Sequence, residues 1–453
     1  MNRKEGWKPS RTNHMIGTLK YSNEPSVVHF VSRVMRTVNK IVMASAVLLL
    51  ASGVLVSSVT AQTLEGENGD WTWKKDYSFD VDGRDSVVFE DFYGHVELVA
   101  GRGSSIVIQQ VVQARGETRR EALDYGNEFE LEVRYSSSYL TIEGESGSRS
   151  TMFVIQVPSG LNVSYDSDSG DLFVAGMDSE LNIKMDGGDV EIVDVGGPVD
   201  VRSDGGDIDV DGVKSDVSLT SDGGELTVLG VDGDLIIATG GGEIEIETVK
   251  GKVEVVSAGG SVEVSDVDGD VFVNTSAGGV EVDHVKGEVT VLTGGGDIEL
   301  WSIRGSVNAT TIGGDIEGDE IYSEMKLETM AGDIELEGVR SSVRAVAEVG
   351  AVEIEVIDAS FLASGSLYVE LGDGEIGLIL PTDTEATIVA HVLQSGSIEI
   401  DETGWSFREV RRRGSSRRDE DRRAILEVGG GGTGEIELSV RKGEIIIENR
   451  NSQ

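Results

Sequence analysis

The sequence predicts an all-β fold, a parallel β-solenoid (β-helix-like) with about 18 residues and two short strands per turn, capped by less regular β segments at both ends. The first observation is a glycine column. Gly170, Gly188, Gly206, Gly224, Gly242, Gly260, Gly278, Gly296, Gly314, Gly332 and Gly350 are spaced by 18 residues at every step. The second is an aliphatic column of the same period, Val195, Val213, Val231, Val249, Val267, Val285, Ile303, Ile321, Val339 and Ile357. The third is composition: 60 Gly against 5 Pro, without a Gly-X-Y period, favours strands and tight turns and excludes collagen. A unit this short cannot bury its apolar side alone, so each turn must stack on the next.

The chain opens with residues 1–61, read as an N-terminal extension and a signal peptide. Translation is expected to start at Met35. Arg36 and Lys40 precede an apolar run from Ile41 to Val59, and Val59-Thr60-Ala61 offers small residues for cleavage after Ala61. The alternative is an uncleaved anchor, since about 19 apolar residues can span a bilayer. Residues 62–165 form an N-terminal β segment and cap. Alternating stretches such as Ser86-Val-Val-Phe-Glu, Ser105-Ile-Val-Ile-Gln and Tyr139-Leu-Thr-Ile-Glu read as strands with one buried face. Glu117 to Gly126 reads as a short helix with Gly126 as its stop. Trp71 and Trp73 are expected to cover the first turn, because an open solenoid end offers unpaired backbone groups.

Residues 166–365 are the regular solenoid. Each turn splits into two halves of nine, as in Gly188-Asp-Val-Glu-Ile-Val-Asp-Val-Gly and Gly197-Pro-Val-Asp-Val-Arg-Ser-Asp-Gly. Alternation points Val190, Ile192, Val199 and Val201 inward, with Val195 filling one corner and Ser203 the other. Ser203, Ser221, Thr239, Ser257, Thr275, Thr293, Thr311 and Thr329 form a hydroxyl ladder, expected to satisfy one another and nearby backbone. A triangular helix also takes 18 residues per turn but needs an aliphatic every six positions, and the residue six after Val201 is Asp207. Residues 366–453 are a less regular solenoid segment. It holds an Arg-rich loop, 408–423, and two closing strands, Glu435-Ile-Glu-Leu-Ser-Val and Glu444-Ile-Ile-Ile-Glu.

Several marks together resemble an exported bacterial family of putative adhesins with β-strand repeats, a domain of largely unknown function. They are Val157-Pro-Ser-Gly leading to Ser169-Gly-Asp, the Gly-Gly-Asp-Ile-Glu-Ile units, Leu380-Pro-Thr-Asp leading to Ser395-Gly-Ser-Ile, and the Gly-rich Val428 to Ile447. The resemblance spans nearly all of the chain after Ala61. It implies an extracytoplasmic β-solenoid module and suggests adhesion, and it supplies no catalytic residue.

Charge narrows the function classes. With 38 Lys plus Arg against 82 Asp plus Glu, a net charge of −44, the surface repels phosphate, so nucleic acid is not an expected partner. No cysteine is present, which removes disulfides, thiolate metal sites and a lipoprotein anchor. On the outer face of the first strand, Glu245, Glu263, Glu281, Glu299, Glu317, Glu335 and Glu353 place an acid on seven successive rungs. Beside them run Asp189, Asp207, Glu225, Glu243, Asp297, Asp315 and Asp333. This ladder is either a solvated face or a surface for divalent cations, calcium above all, or for a basic partner. The calcium nonapeptide pattern is interrupted: Asp186, Asp204 and Asp222 give way to Gly240 and Ala258. No cofactor is expected.

The second strand's outer face carries Ile236, Ala238, Val256, Phe272 and Leu292, a docking surface for terminal segments of the same chain or for an external partner. Arg411, Arg412, Arg413, Arg417 and Arg418 in the loop are further partner-contact candidates. After Ala61 only His95, His284 and His391 remain, scattered along the chain, and no acid pair stands out as general acid and base. The expectation is a non-enzymatic, adhesin-like interaction scaffold of the bacterial cell envelope or surface. It would be periplasmic, cell-surface or extracellular, with an envelope or surface protein or a polysaccharide as partner, and with no membrane span once the signal is cleaved. The alternatives are a structural, divalent-cation-responsive envelope protein and a carbohydrate-active β-helix enzyme.

Overall fold

The computed structural model describes residues 61–67, 70–114, 116–128, 130–144, 151–400, 407–409, 422–429 and 434–450, all within the unit Ser57–Gln453. The expected start at Met35 and the apolar run Ile41–Val59 lie outside the described residues. So do Arg411, Arg412, Arg413, Arg417 and Arg418. Almost every described element is a strand, and the regular part is two ladders of parallel strands.

One ladder runs through His95–Gly101, Asp171–Ala175, Val190–Val195 and Ile208–Val213. The other runs through Asn162–Ser167, Leu181–Met185, Val199–Ser203 and Val217–Ser221. Each residue pairs with the one 18 positions on, from Val190 opposite Ile208 to Glu335 opposite Glu353. The period of two along each strand then sends alternate side chains inward. Val190, Ile192, Val195, Val199 and Val201 are all buried, as are their equivalents on every rung to Ile354 and Val356. They form one continuous core.

Both corners have a stereochemical basis. Just before the aliphatic corner residue the backbone turns left-handed. Gly176, Gly212, Gly230 and Gly338 take φ between +66° and +74°, and Asp194, Thr248, Asp266, His284, Ser302 and Glu320 take 53–62° at the same place. Non-glycine residues rarely adopt this region, which is why glycine alternates only with polar residues here. At the opposite corner Gly188 has φ +98°, and a Cβ there would overlap the carbonyl oxygen of Gly170 on the rung below. The stacking distance of the rungs therefore demands glycine in this column.

The hydroxyl ladder bonds to backbone, which corrects the expectation of mutual side-chain bonding. Ser203 Oγ donates to the Gly205 carbonyl at 2.5 Å, and Ser221, Thr239, Ser257 and Thr275 donate to the residue two places on in the same way. From Thr293 the target changes. Thr293, Thr311 and Thr329 donate at 3.0–3.2 Å to Gly278, Gly296 and Gly314 on the preceding turn.

At the N-terminal side both ladders continue into partly antiparallel strands, Thr151–Pro158, Ser105–Ala114, Asp70–Asp80 and Ala61–Glu67 on one, and Ser86–Glu90, Tyr139–Glu143 and Glu132–Tyr135 on the other. Phe89, Phe92, Phe153 and Tyr165 fill the wider core between them, with Phe92 edge-on to Phe153 at 4.8 Å. The helix spans Arg119–Gly126 and starts in a capping box, Thr118 with Glu121. Trp73 does not cover the first turn as expected. It is buried beneath this helix with Val112, Ala114 and Ala122. Gly126 is glycine because a Cβ there would strike the Trp73 ring, so packing explains it better than chain termination.

At the C-terminal side the rungs become single strands that run through both ladders, Val343–Val356, Ser366–Leu380, Ala386–Ile400 and Gly434–Asn449. The step from Val343 to its partner Leu367 is 24 residues, the excess being a 3-10 turn at Ala359–Ala363. Chain order then fails to predict spatial order. Gly434–Asn449 lies between Ser366–Leu380 and Ala386–Ile400, parallel to both. The glycine column follows space, with Gly350, Gly374, Gly443 and Gly396 in successive register. Arg441 holds the inserted strand to Asp373 at 3.1 Å, and Arg450 holds it to Glu355 at 3.2 Å. Antiparallel strands Arg422–Val428 and Phe407–Glu409 follow Ala386–Ile400 at the edge. No helix among the described residues is long and apolar enough to cross a membrane.

Candidate functional site

Among the described residues the interior is one continuous apolar core, and most charged side chains lie on the outer faces and at the corners. The glutamate ladder is in direct register: Glu245, Glu263, Glu281, Glu299, Glu317, Glu335 and Glu353 oppose one another on consecutive strands. Glu245, Glu281, Glu317 and Glu353 have their carboxyls raised above the usual range, first by partial burial and then by the neighbouring glutamates. Among the described residues no three acidic or histidine side chains converge on a metal-sized point. The ladder is a row of separate carboxylates.

The second acidic column does a different job. Asp189 Oδ1 accepts the backbone N–H of Asp207 at 3.0 Å, Asp207 that of Glu225 at 2.8 Å, Asp297 that of Asp315 at 2.9 Å, and Asp333 that of Ala351 at 2.6 Å. Asp216, Asp234 and Asp270 cap the next rung at the other corner in the same way, each at 2.9 Å. These carboxylates satisfy amides at the strand starts. The signal was present as an Asp directly after a corner, one residue before each strand.

Ile236 and Val256 on the second ladder are 49% and 44% exposed, while Phe272 and Leu292 are half-buried. No described segment of the chain lies over them. Sequence reasoning passed over a second apolar patch at a corner, where Ile312 and Met330 stand on adjacent rungs, 56% and 58% exposed. They continue the column of Asp186, Asp204 and Asp222, so that column changes from acidic to apolar along the stack.

Two histidines are less isolated than their spacing suggests. His95 Nε2 lies 3.7 Å from Oε1 of the buried Glu97, and that contact raises the imidazole's pKa against the opposing effect of burial. Nearby, burial raises Glu191, and burial together with Asp207 and Glu225 lifts Asp209 to about 6. His284 Nδ1 is 2.6 Å from Asp283 Oδ2, and Ser302 follows one rung on. A hydrolytic trio is not assembled, however, because Ser302 Oγ donates to Glu320 Oε2 at 3.3 Å.

His284 and Ser302 instead line an open groove of about 710 Å³ along one corner, with Asp266, Val285, Lys286, Arg304, Glu320 and Tyr322. Arg340, on the next rung, places its guanidinium 5.6 Å from the Tyr322 ring centre.

Stacked turns of two short parallel strands, repeated in constant register, define a β-solenoid repeat protein. Residues 268–448, less than half of the chain, match the family described as Toastrack DUF4097. This stretch includes the later repeats, Leu380-Pro-Thr-Asp and the Gly-rich close, and the resemblance to a β-repeat family of putative adhesins stands on it. Two of the solved structures to which the chain is similar are both described in terms of adhesion. One is a putative adhesin from Bacteroides fragilis, at 14% identity and a TM-score of 0.24, covering 58% of this chain and 96% of that one. The other is a putative cell adhesion protein from Clostridium sporogenes, at 9% identity and a TM-score of 0.15, covering 83% and 99%. No curated protein sequence matches the chain.

Proposed function

We propose that the protein is an exported, non-enzymatic interaction scaffold of the bacterial envelope or surface, adhesin-like in its mode of action. The observation that carries this reading is the division between a uniformly packed interior and a patterned exterior. Apolar residues such as Ile236 and Val256 stay exposed on a rigid parallel ladder, and contiguous exposed apolar groups mark binding surfaces. The adhesion-related descriptions of the similar structures agree with it in kind. Its partner is an envelope protein or polysaccharide, and binding draws on faces and corners. The full chain is to be screened against envelope polysaccharides and immobilised envelope proteins beside a glycoside hydrolase and lyase panel. Binding without turnover is the expected result, and turnover of any glycan by the pure protein overturns the proposal.

A second reading, a cation-responsive structural protein, draws on the unpaired glutamate column. It requires calcium or magnesium to raise the melting temperature more than sodium at equal ionic strength; equal shifts leave only screening.

A further inference from the structure

The corner groove differs from the rest of the stack in its charge pattern. Along that corner the outward residue alternates in sign from rung to rung: Lys214, Asp232, Lys250, Asp268, Lys286. The alternation is used, since Lys250 pairs with Asp232 at 2.6 Å and Lys286 pairs with Asp268. At the next rung, where an acid would continue the series, Arg304 stands instead, and Tyr322 and Arg340 follow. Arg304 makes no ion pair among the described residues, and Tyr322 is 48% exposed. The groove lies where the pattern breaks.

The lining sorts by hydrogen-bonding capacity. Asp266 and Glu320 only accept, Lys286 and Arg304 only donate, and Ser302 and Tyr322 do both. An anion would face Asp266, Glu320 and the field of a chain with a net charge of −44. A cation would face Arg304 and Lys286. A hydroxyl donates and accepts at once, so a ligand rich in hydroxyls and free of charge can pair with Arg304 and with the capacity that Lys286, Ser302 and Glu320 keep beyond their contacts within the stack. Tyr322 adds an apolar ring face of the kind that packs against a pyranose. The volume is in the range of small-molecule sites, roughly 300–1,000 Å³.

We infer that this groove, lined by Asp266, His284, Lys286, Ser302, Arg304 and Tyr322, is a binding subsite for an uncharged oligosaccharide. The inference rests on the scaffold reading and gives it a ligand class and a place. Arg304 breaks the charge alternation of this corner, so a chain of sugars would be gripped at this position.

The test uses the full chain and calorimetric titration with unbranched neutral hexasaccharides of glucose, mannose and galactose, beside oligogalacturonate and chitosan oligomers. At least one neutral sugar is expected to bind, with little dependence on salt. Tyr322→Ala should weaken it at least tenfold and Arg304→Gln about threefold to tenfold. Tyr368→Ala is the control: Tyr368 carries an equivalent stacked arginine, Arg344 at 4.4 Å, outside the groove, and its loss should change nothing. Circular dichroism confirms that each exposed-residue variant is folded. Neutral-sugar binding that survives Tyr322→Ala, or that falls equally with Tyr368→Ala, overturns the location. Preference for the uronate or the amino sugar overturns the charge argument. Binding of no sugar at all overturns the subsite while leaving the scaffold proposal to the protein-partner arm of its own screen.

Discussion

Replacing Glu281 by glutamine removes one carboxylate from the middle of the ladder and leaves the side chain's shape almost unchanged. Its neighbours in register are Glu263 and Glu299, each one strand away, about 4.8 Å. Two like charges near 5 Å repel by roughly 0.8 kcal/mol even at the dielectric of water. Two neighbours make this about 1.6 kcal/mol, and screening at 0.15 M salt, with a Debye length of about 8 Å, roughly halves it. The local rungs should therefore gain about 1 kcal/mol. Solenoids need not unfold in one step, so the assay is local: amide hydrogen exchange in Val262–Val267, Val280–Val285 and Ile298–Trp301. Exchange there should slow about fivefold at 0.15 M salt and more at 20 mM, with distant rungs unchanged. The sign with pH agrees. Glu281's carboxyl is raised in the folded chain, so its favourable contribution is present below the ordinary carboxylate value and is lost as pH rises through the folded one. The wild-type rungs should tighten between pH 7 and pH 5, and Glu281→Gln should flatten that response. An unchanged exchange rate, or a gain that persists at 1 M salt, refutes the reasoning.

Three further substitutions or truncations probe the frame. Gly188→Ala should cost at least about 2 kcal/mol, because its φ is +98° and the new Cβ meets the Gly170 carbonyl, whereas Gly187→Ala, with open space around it, should be nearly neutral in the same thermal melts. Asp207→Ala should cost about 1–2 kcal/mol by leaving the Glu225 amide without its acceptor, and exchange at that amide should rise while the glutamate ladder is unaffected. A chain ending before Gly434 should lose protection in Ser366–Leu380 and Ala386–Ile400, and a synthetic peptide of residues 434–450 added in trans should restore it; loss without restoration would mean that the slot collapses once empty.

The legible part of the fold was the part set by local periodicity. The spacing of 18 placed Val190, Ile192, Val195, Val199 and Val201 inside because burial depends only on alternation within a strand and register between neighbours. The C-terminal order was not legible in the same way. Gly434–Asn449 and Ala386–Ile400 carry the same strand grammar, and either could have stacked next to Ser366–Leu380. The inserted strand is joined to its neighbour by contacts distant in sequence, Arg441 to Asp373 among them, which strand periodicity does not encode. The helix at Arg119–Gly126 was legible within the stretch Glu117 to Gly126, but its capping box was not read, and the role of Gly126 depended on Trp73, a residue more than fifty positions away.

Surface function was harder to read because one residue type serves two purposes on neighbouring columns. Asp207 and Glu281 look alike in a list of acids. Asp207 spends its charge on a backbone amide of the next turn, while Glu281 meets only other carboxylates. The distinction is positional: an aspartate one residue before the strand, such as Asp207, reaches the next rung's N–H, while the glutamates of the ladder lie within their strands. The corner groove follows the same logic. Alternating lysine and aspartate is structural where neighbouring rungs answer each other, as Lys250 answers Asp232 and Lys286 answers Asp268. Function is then best sought where the rule lapses, and Arg304 and Tyr322 mark that lapse: Arg304 makes no ion pair among the described residues, and Tyr322, with Arg340 over its ring, stays 48% exposed.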